Sequence, residues 1–476
     1  MTKSAIENVL ASRYASQEMC RNWSIAQKVI FERELWIAVM KAQRELGLNI
    51  PEEAIAAYER VKDDVNLERI AQRERELRHD VKSRIEEFCA LAGFEHIHKG
   101  MTSRDLTDNV EQMQVRNALL LVRDKYVSVL RHVADIAQKY KDMPIAARTH
   151  NVAAQPTTVG RRFAMFAQEM LLAFRQLEAT IASYALRGIM GAVGTALDQL
   201  TLFEGDEAKI EKLNESIMRH LGFEQRLLAV GQVYPRSLDY EVASALYQLG
   251  AGPASFSRTL RLMAGQELAG EGFKEGQVGS SAMPHKMNSR SCERVCGFLA
   301  ILNGYMNMLA ALAGDQWNEG DVSCSVVRRV ALPDAFFAID GLMETFLTVL
   351  NEMGVNAPVV EGELRRYMPF LATTTILMES VKRGAGREAA HEAIKRHAVA
   401  VARAMREQGQ RDNDLARRLG EDQAIPLNAS EIEELLTDYS RFLGMARQQT
   451  DAVCDEITLI ASQHRKAADY EPGEIL

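Results

Sequence analysis

Between Gly100 and Pro144 the chain contains neither glycine nor proline. Within that span Leu119, Val122, Tyr126, Val129, Val133, Ile136 and Tyr140 recur at steps of three and four, which makes one apolar stripe on a helix of roughly eight turns. A helix that long buries its stripe only against other helices. A second unbroken stretch runs from Arg161 to Arg187, and a third follows Pro333 through Ile339 and Phe346 to Val355. The fold class expected is all-α, with a central bundle of long helices. At 476 residues the chain is too long for one compact core, and two to three domains are expected. Boundaries near Thr107 and Asn356–Pro358 divide it into an N-terminal helical domain (1–106), the bundle (107–356) and a C-terminal helical domain (357–476).

The formal net charge is −8 and there is no long basic run, which argues against a nucleic-acid surface but leaves room for a local cationic pocket. The first residues carry charges where a signal peptide needs an apolar core, and no apolar run is long enough to cross a bilayer, so the expected location is the cytoplasm. Six cysteines without a CxxC pair suggest neither a zinc ribbon nor a disulfide framework. Cys292 and Cys296 share a helix face and read as packing residues. His96 and His98 lie close together, but no carboxylate or thiol pattern completes a metal site around them.

Small, polar and Gly/Pro residues interrupt the helical pattern at Lys99–Ser103, Arg148–Thr158 and Glu271–Ser289, and more briefly at Ala229–Arg236. Loops on a rigid scaffold are where chemistry is usually placed. In Glu271–Arg290, glycines precede the adjacent Ser280 and Ser281, then come Lys286 and Asn288, and an amphipathic stretch begins near Ser291. Glycines let consecutive N–H groups face one point, and a following helix N-terminus adds positive potential. A serine held there ionises more easily, and Lys286 and Asn288 suit a carboxylate. Taken one at a time, these residues read more simply as a surface loop. His150 alone reads as a histidine bonded near a helix start, although its side chain type is the one best placed to exchange a proton near neutral pH.

Taken together, the strings resemble a family. Gly279-Ser-Ser-Ala-Met-Pro-His-Lys-Met-Asn288 closely resembles the signature loop of the fumarase/aspartase superfamily, and its His before Lys is most like the adenylosuccinate lyases. Arg148-Thr-His-Asn-Val-Ala-Ala-Gln-Pro-Thr-Thr158 resembles the second conserved region, and His98-Lys-Gly-Met-Thr-Ser-Arg-Asp105 the first. Arg78-His79-Asp80, Arg13-Tyr14, Gln232 and Ser325 with Arg329 match further family elements, in the family's order. Two departures stand out: Ser289 follows the signature Asn where the superfamily usually has Pro, and Gly320 stands where the family often has Arg. Either one phosphate arginine is missing, or Arg328 substitutes for it.

The resemblance implies a three-domain all-α subunit whose bundles assemble into a homotetrameric core, with each active site built from three chains. It implies β-elimination of fumarate from adenylosuccinate to give AMP, and from succinylaminoimidazole carboxamide ribotide (SAICAR) to give AICAR, without cofactor, metal, membrane or nucleic acid. Ser280 would be the base. Lys286, Asn288 and Ser281 would stabilise the carbanion, with Thr102, Ser103 and Thr149 in the substrate-binding loops. His150, paired with Glu293, would be the general acid. His79 would assist at the substrate, with Asp80 near the purine and Arg78 among the substrate-binding residues, and Gln232 and Arg294 would hold the succinyl part. Arg13, Tyr14, Ser325 and Arg329 would hold the phosphate, for which the bidentate guanidinium fork is suited. A serine in open water is a poor base, so the Glu271–Ser289 loop is expected to close over substrate. The nearest alternatives are argininosuccinate lyase and carboxymuconate cycloisomerase, which have no phosphate to hold. A catalytically silent helical scaffold is the alternative of a different class.

Overall fold

The computed structural model describes residues 6–272, 283 and 286–473. Ser280 and Ser281 lie outside the described residues. Five long helices, labelled in chain order, form the bundle: α1 (Ser103–Lys139), α2 (Val159–Ser183), α3 (Ser237–Gly265), α4 (Arg290–Ala310) and α5 (Cys324–Glu352). The α1 stripe is buried as its spacing predicts. Leu119, Val122, Tyr126, Val129 and Val133 have no exposed surface, and Tyr140 sits half-buried just past the last turn.

Three helix limits differ from those read in the sequence, each for a physical reason. α1 starts before Thr107, because the Thr102 N–H donates to Asp105 Oδ2 at 2.8 Å and closes a capping box there. α2 stops at Ser183, before Arg187. The chain leaves the helix so that the buried Arg187 guanidinium can meet Asp105 Oδ1 at 2.6 Å and the carbonyls of Gly188, Gly191 and Gly231. α5 starts at Cys324 and carries Pro333 inside it, so this proline does not mark a helix start. It removes one N–H bond, to the carbonyl of Arg329, and the helix continues through it.

α3 approaches its neighbours closely at Gly252, where a Cβ would stand 2.5 Å from Met170 Cγ on α2. α4 runs antiparallel to α5: Tyr305 donates to Asp334 Oδ2 at 3.0 Å, and Phe298 lies against Gly341. The Arg148–Thr158 interruption is mostly regular structure. β1 (Pro144–Thr149) and β2 (Val152–Thr158) pair antiparallel around a two-residue turn at His150 and Asn151, whose φ angles are +51° and +61°. Positive φ at both central residues is what the twist of a tight hairpin requires.

The N-terminal helices, among them Ile25–Glu45 and Asp80–Ala92, share one core with the bundle. A second core, including Leu364, Met368, Ile376, Leu415, Leu419 and Ile432, lies in the C-terminal part and takes in Ala146 of β1. The helix Ala446–Gln463 then returns to the bundle, where the Cys454 thiol meets the Ala134 carbonyl on α1. Among the described residues, no helix is long and apolar enough to cross a membrane.

Candidate functional site

The candidate residues gather at opposite ends of the bundle. At the first end, the N-termini of α1 and α5 meet. Thr102 is the N-cap of α1 and Ser103 its first residue. Arg104 donates from Nη2 to Ser325 Oγ at 3.1 Å, in the first turn of α5, and from Nη1 to Asp108 at 3.0 Å. Arg329 lies one turn further along α5 and is exposed. Gln232 is half-buried beside them, its N–H donating to the Glu319 carbonyl at 2.6 Å.

Gly320 is a packing requirement of this stretch of chain. A Cβ there would stand 2.6 Å from Gln232 Cβ, so no side chain fits without moving Gln232. Arg328 does not stand in for the missing arginine. It is 3% exposed, and its guanidinium is held by Asp239 (2.7 Å), Glu111 (2.5 Å) and the Tyr234 hydroxyl. Burial works against ionisation of Glu111, but Arg328 and Lys28 outweigh it and hold the carboxyl down at about 2.

Arg78, His79 and Asp80 sit at the same end, at the junction between the helices Leu67–Leu77 and Asp80–Ala92. Arg78 is left-handed (φ +50°) and exposed. His79 caps the second helix, its Nδ1 accepting from the Lys82 N–H at 3.3 Å, and Asp80 accepts from its neighbour Val81. His98 has a structural role. Its Nδ1 accepts from Trp36 Nε1–H at 3.0 Å, which requires an unprotonated Nδ1. Burial pushes its pKa down to about 4, against a smaller opposing pull from Asp105. A histidine whose folded pKa is depressed contributes stability above its ordinary value of about 6.5 and loses it as pH falls towards 4. We expect stability to fall by up to roughly 3 kcal/mol more in the native chain than in His98→Gln across that window. Urea melts from pH 7 to pH 4 check this, and parallel curves for the two proteins would sink it.

The second end holds Lys286, Asn288 and Glu293. They line a cleft of about 1290 Å³ together with Arg258, Arg261 and Asn356. Lys286 is exposed, and Glu293 pairs with Arg261 at 3.6 Å. The base of this cleft is fixed by Glu271, a residue the sequence did not single out. Its buried carboxylate accepts from the N–H groups of Ser291 (3.1 Å) and Cys292 (3.0 Å), capping α4 from twenty positions upstream. Ser289 occupies the N-cap position but makes no side-chain cap bond. Arg294 lies over the Tyr14 ring at 5.3 Å, and Phe298 meets the same ring edge-on at 5.2 Å. The short helix Val9–Arg13 thus places Arg13 and Tyr14 near α4. His150 and Thr149 are exposed at the hairpin tip, and no hydrogen bond or ion pair joins His150 to another described residue. Arg148 is tied to Glu363 in the C-terminal part.

Within one chain, therefore, Thr102, Ser103, His79, Gln232, Ser325 and Arg329 come together, and so do Lys286, Asn288, Glu293, Arg294 and Tyr14. His150 does not reach Glu293. Lys286, Asn288 and Glu293, at the start of α4, lie towards the far end of α5 from Ser325, a helix whose 29 residues span roughly 43 Å, whereas Tyr14 and Arg294 lie part-way along it. Arg13 and Tyr14 do not join Ser325: Tyr14 packs on Gly341, roughly 24 Å along α5 from Ser325. Arg104 was also missed in the sequence. The available signal was an arginine in the first turn of a helix, where the macrodipole disfavours a cation unless anions surround it.

Comparison with known proteins adds independent findings. Residues 12–303 match the family model described as Lyase, and residues 369–453 the model described as Adenylosuccinate lyase C-terminus. The chain is 34% identical over 450 residues to adenylosuccinate lyase of Saccharomyces cerevisiae, covering 93% of this chain and 92% of that one. It is 29% identical over 445 residues to adenylosuccinate lyase of Archaeoglobus fulgidus, covering 93% and 96%. Among solved structures, a 3-carboxy-cis,cis-muconate lactonizing enzyme from Pseudomonas putida superposes with a TM-score of 0.80 at 20% identity, covering 96% of this chain and all of the other. A fumarate lyase from Mesorhizobium sp. BNC1 gives 0.78 at 20% identity, covering 93% and 98%. These structures share the all-α fold.

Proposed function

The chain belongs to the adenylosuccinate lyase family of the fumarase/aspartase superfamily, and from that premise we propose how its residues eliminate fumarate from adenylosuccinate, and from SAICAR. The observation that carries the reading is the match over nearly the whole chain to lyases of one name from yeast and archaea, joined to the C-terminal model of the same name. The muconate-type alternative has only the shared fold behind it.

The reaction breaks a C–N bond β to a carboxylate. A base removes a weakly acidic C–H proton, the carbanion's charge spreads into the adjacent carboxylate, and an acid protonates the leaving nitrogen. In our reading Ser280 is the base. Lys286, Asn288 and Ser281 meet the growing charge, with Thr102, Ser103 and Thr149 against the substrate. His150 protonates N6 of the purine, with Glu293 favouring its imidazolium form. His79 assists at the substrate, Asp80 sits near the purine, Arg78 binds substrate, and Gln232 and Arg294 hold the succinyl part. Arg13, Tyr14, Ser325 and Arg329 take the phosphate, which fixes orientation away from the breaking bond.

We read the active unit as a homotetramer with shared sites. Support comes from the separation within one chain: Lys286, Asn288 and Glu293 line a cleft towards the opposite end of α5 from Thr102, Ser103 and Ser325, and His150 makes no contact with Glu293. Copies packed with bundles antiparallel would bring opposite ends together. Purified protein is expected to release fumarate from adenylosuccinate and not from argininosuccinate, followed by fumarate absorbance. Release from argininosuccinate alone would overturn the substrate assignment.

A further inference from the structure

We propose that Arg104 is a phosphate-binding residue of this chain, gripping the substrate's phosphate monoester together with Ser325. This rests on the reading of Ser325 as a phosphate contact. Arg104 Nη2 lies 3.1 Å from Ser325 Oγ, and Nη1 is anchored on Asp108 at 3.0 Å. Two of the guanidinium N–H groups are so engaged, which fixes the plane of the fork and leaves its other donors to face an anion. The side chain is 17% exposed, held in place yet open to solvent on one side.

The surroundings favour an anion. Arg104 and Ser325 lie in the first turns of α1 and α5, so two helix N-termini converge on the contact. Behind it, Lys28, Arg104, Arg236 and Arg328 pair with Asp108, Glu111 and Asp239, and Lys28 also faces the carboxylate of Glu32. The cations other than Arg104 do not offer themselves: Arg236 and Arg328 are buried, and Lys28 is turned to Glu111. Position 320, which also borders Gln232, has no room for a side chain. Arg104 is thus the cation of this cluster that can turn a donor face to the phosphate while staying bonded to Ser325.

The test compares product inhibition of the full-length enzyme and its variants. Arg104→Gln is expected to raise the inhibition constants of AMP and of inorganic phosphate by about tenfold or more, while that of fumarate stays within about twofold. Arg104→Lys keeps the charge but not the fork, and is expected to fall between. Equal weakening of AMP and fumarate would mean a general disturbance of the site and would overturn the proposal, as would an unchanged AMP constant. If Arg104→Gln does not fold, Arg104→Lys decides: AMP inhibition as strong as in the native enzyme overturns it. A native enzyme that does not cleave adenylosuccinate would fail the functional reading itself. An active native enzyme with an insensitive Arg104 variant fails only this proposal.

Discussion

His150→Asn is expected to lower kcat by about 10²–10⁴-fold while leaving the protein folded. The size follows from the role: a general acid that delivers a proton to the leaving nitrogen supplies that much, and asparagine has no proton to exchange. The intact fold follows from the position. His150 is exposed at the hairpin tip, so its ring leaves no cavity behind. Asparagine is chosen because position 150 has φ +51°, a conformation that asparagine tolerates better than alanine. Since the acid acts on the leaving group, kcat and kcat/KM should fall together, with KM little changed. The measurement is steady-state fumarate release beside a thermal melt. A kcat within tenfold of the native value, in a protein that melts normally, would remove His150 from the role of acid. Ser280→Ala is expected to lose activity on a similar scale, by the resemblance of its loop alone.

The long helices were legible because burial on one face imposes a periodicity that survives without any tertiary knowledge. α1 shows this, with five consecutive stripe positions wholly buried. Helix ends were less legible. The start of α1 depends on Asp105 folding back onto Thr102, and the end of α2 on where Arg187 finds its carboxylate. Pro333 misled because proline inside a helix is disfavoured by a local cost, and the packing of the whole helix outweighs that cost. The hairpin was hidden in a string read for its histidine, although Arg148–Thr158 contains the His-Asn pair that a left-handed turn favours. The site strings themselves were readable as strings, since each is local in sequence. What joins them was not. Glu271 caps a helix across twenty positions, and Arg104 meets Ser325 across 221. No spacing rule contains either. Nor did the sequence say that one chain divides its chemistry between the ends of its bundle, which follows from the antiparallel course of α4 against α5.

The reading of sites shared between chains leads to the second large effect. Mixing two variants that are each inactive, His150→Asn and Lys286→Ala, should restore activity once their subunits exchange. If acid and carbanion stabiliser at one site come from different chains, a random assembly leaves some sites with an intact His150 from one chain and an intact Lys286 from another. With equal amounts and independent choice, about a quarter of the sites are whole. Recovery should therefore approach about a quarter of native kcat, from a background lower by orders of magnitude. It should require time or mild denaturant, because subunits must part before they recombine. If both residues acted from the same chain, every site in the mixture would lack one of them, and no recovery would occur at any ratio. Mixing His150→Asn with Ser325→Ala extends the same logic to the phosphate end of the bundle. Mixing Lys286→Ala with Glu293→Gln is the negative control, because those residues line one cleft of one chain. Recovery in that control would show that the measured activity comes from something other than shared sites.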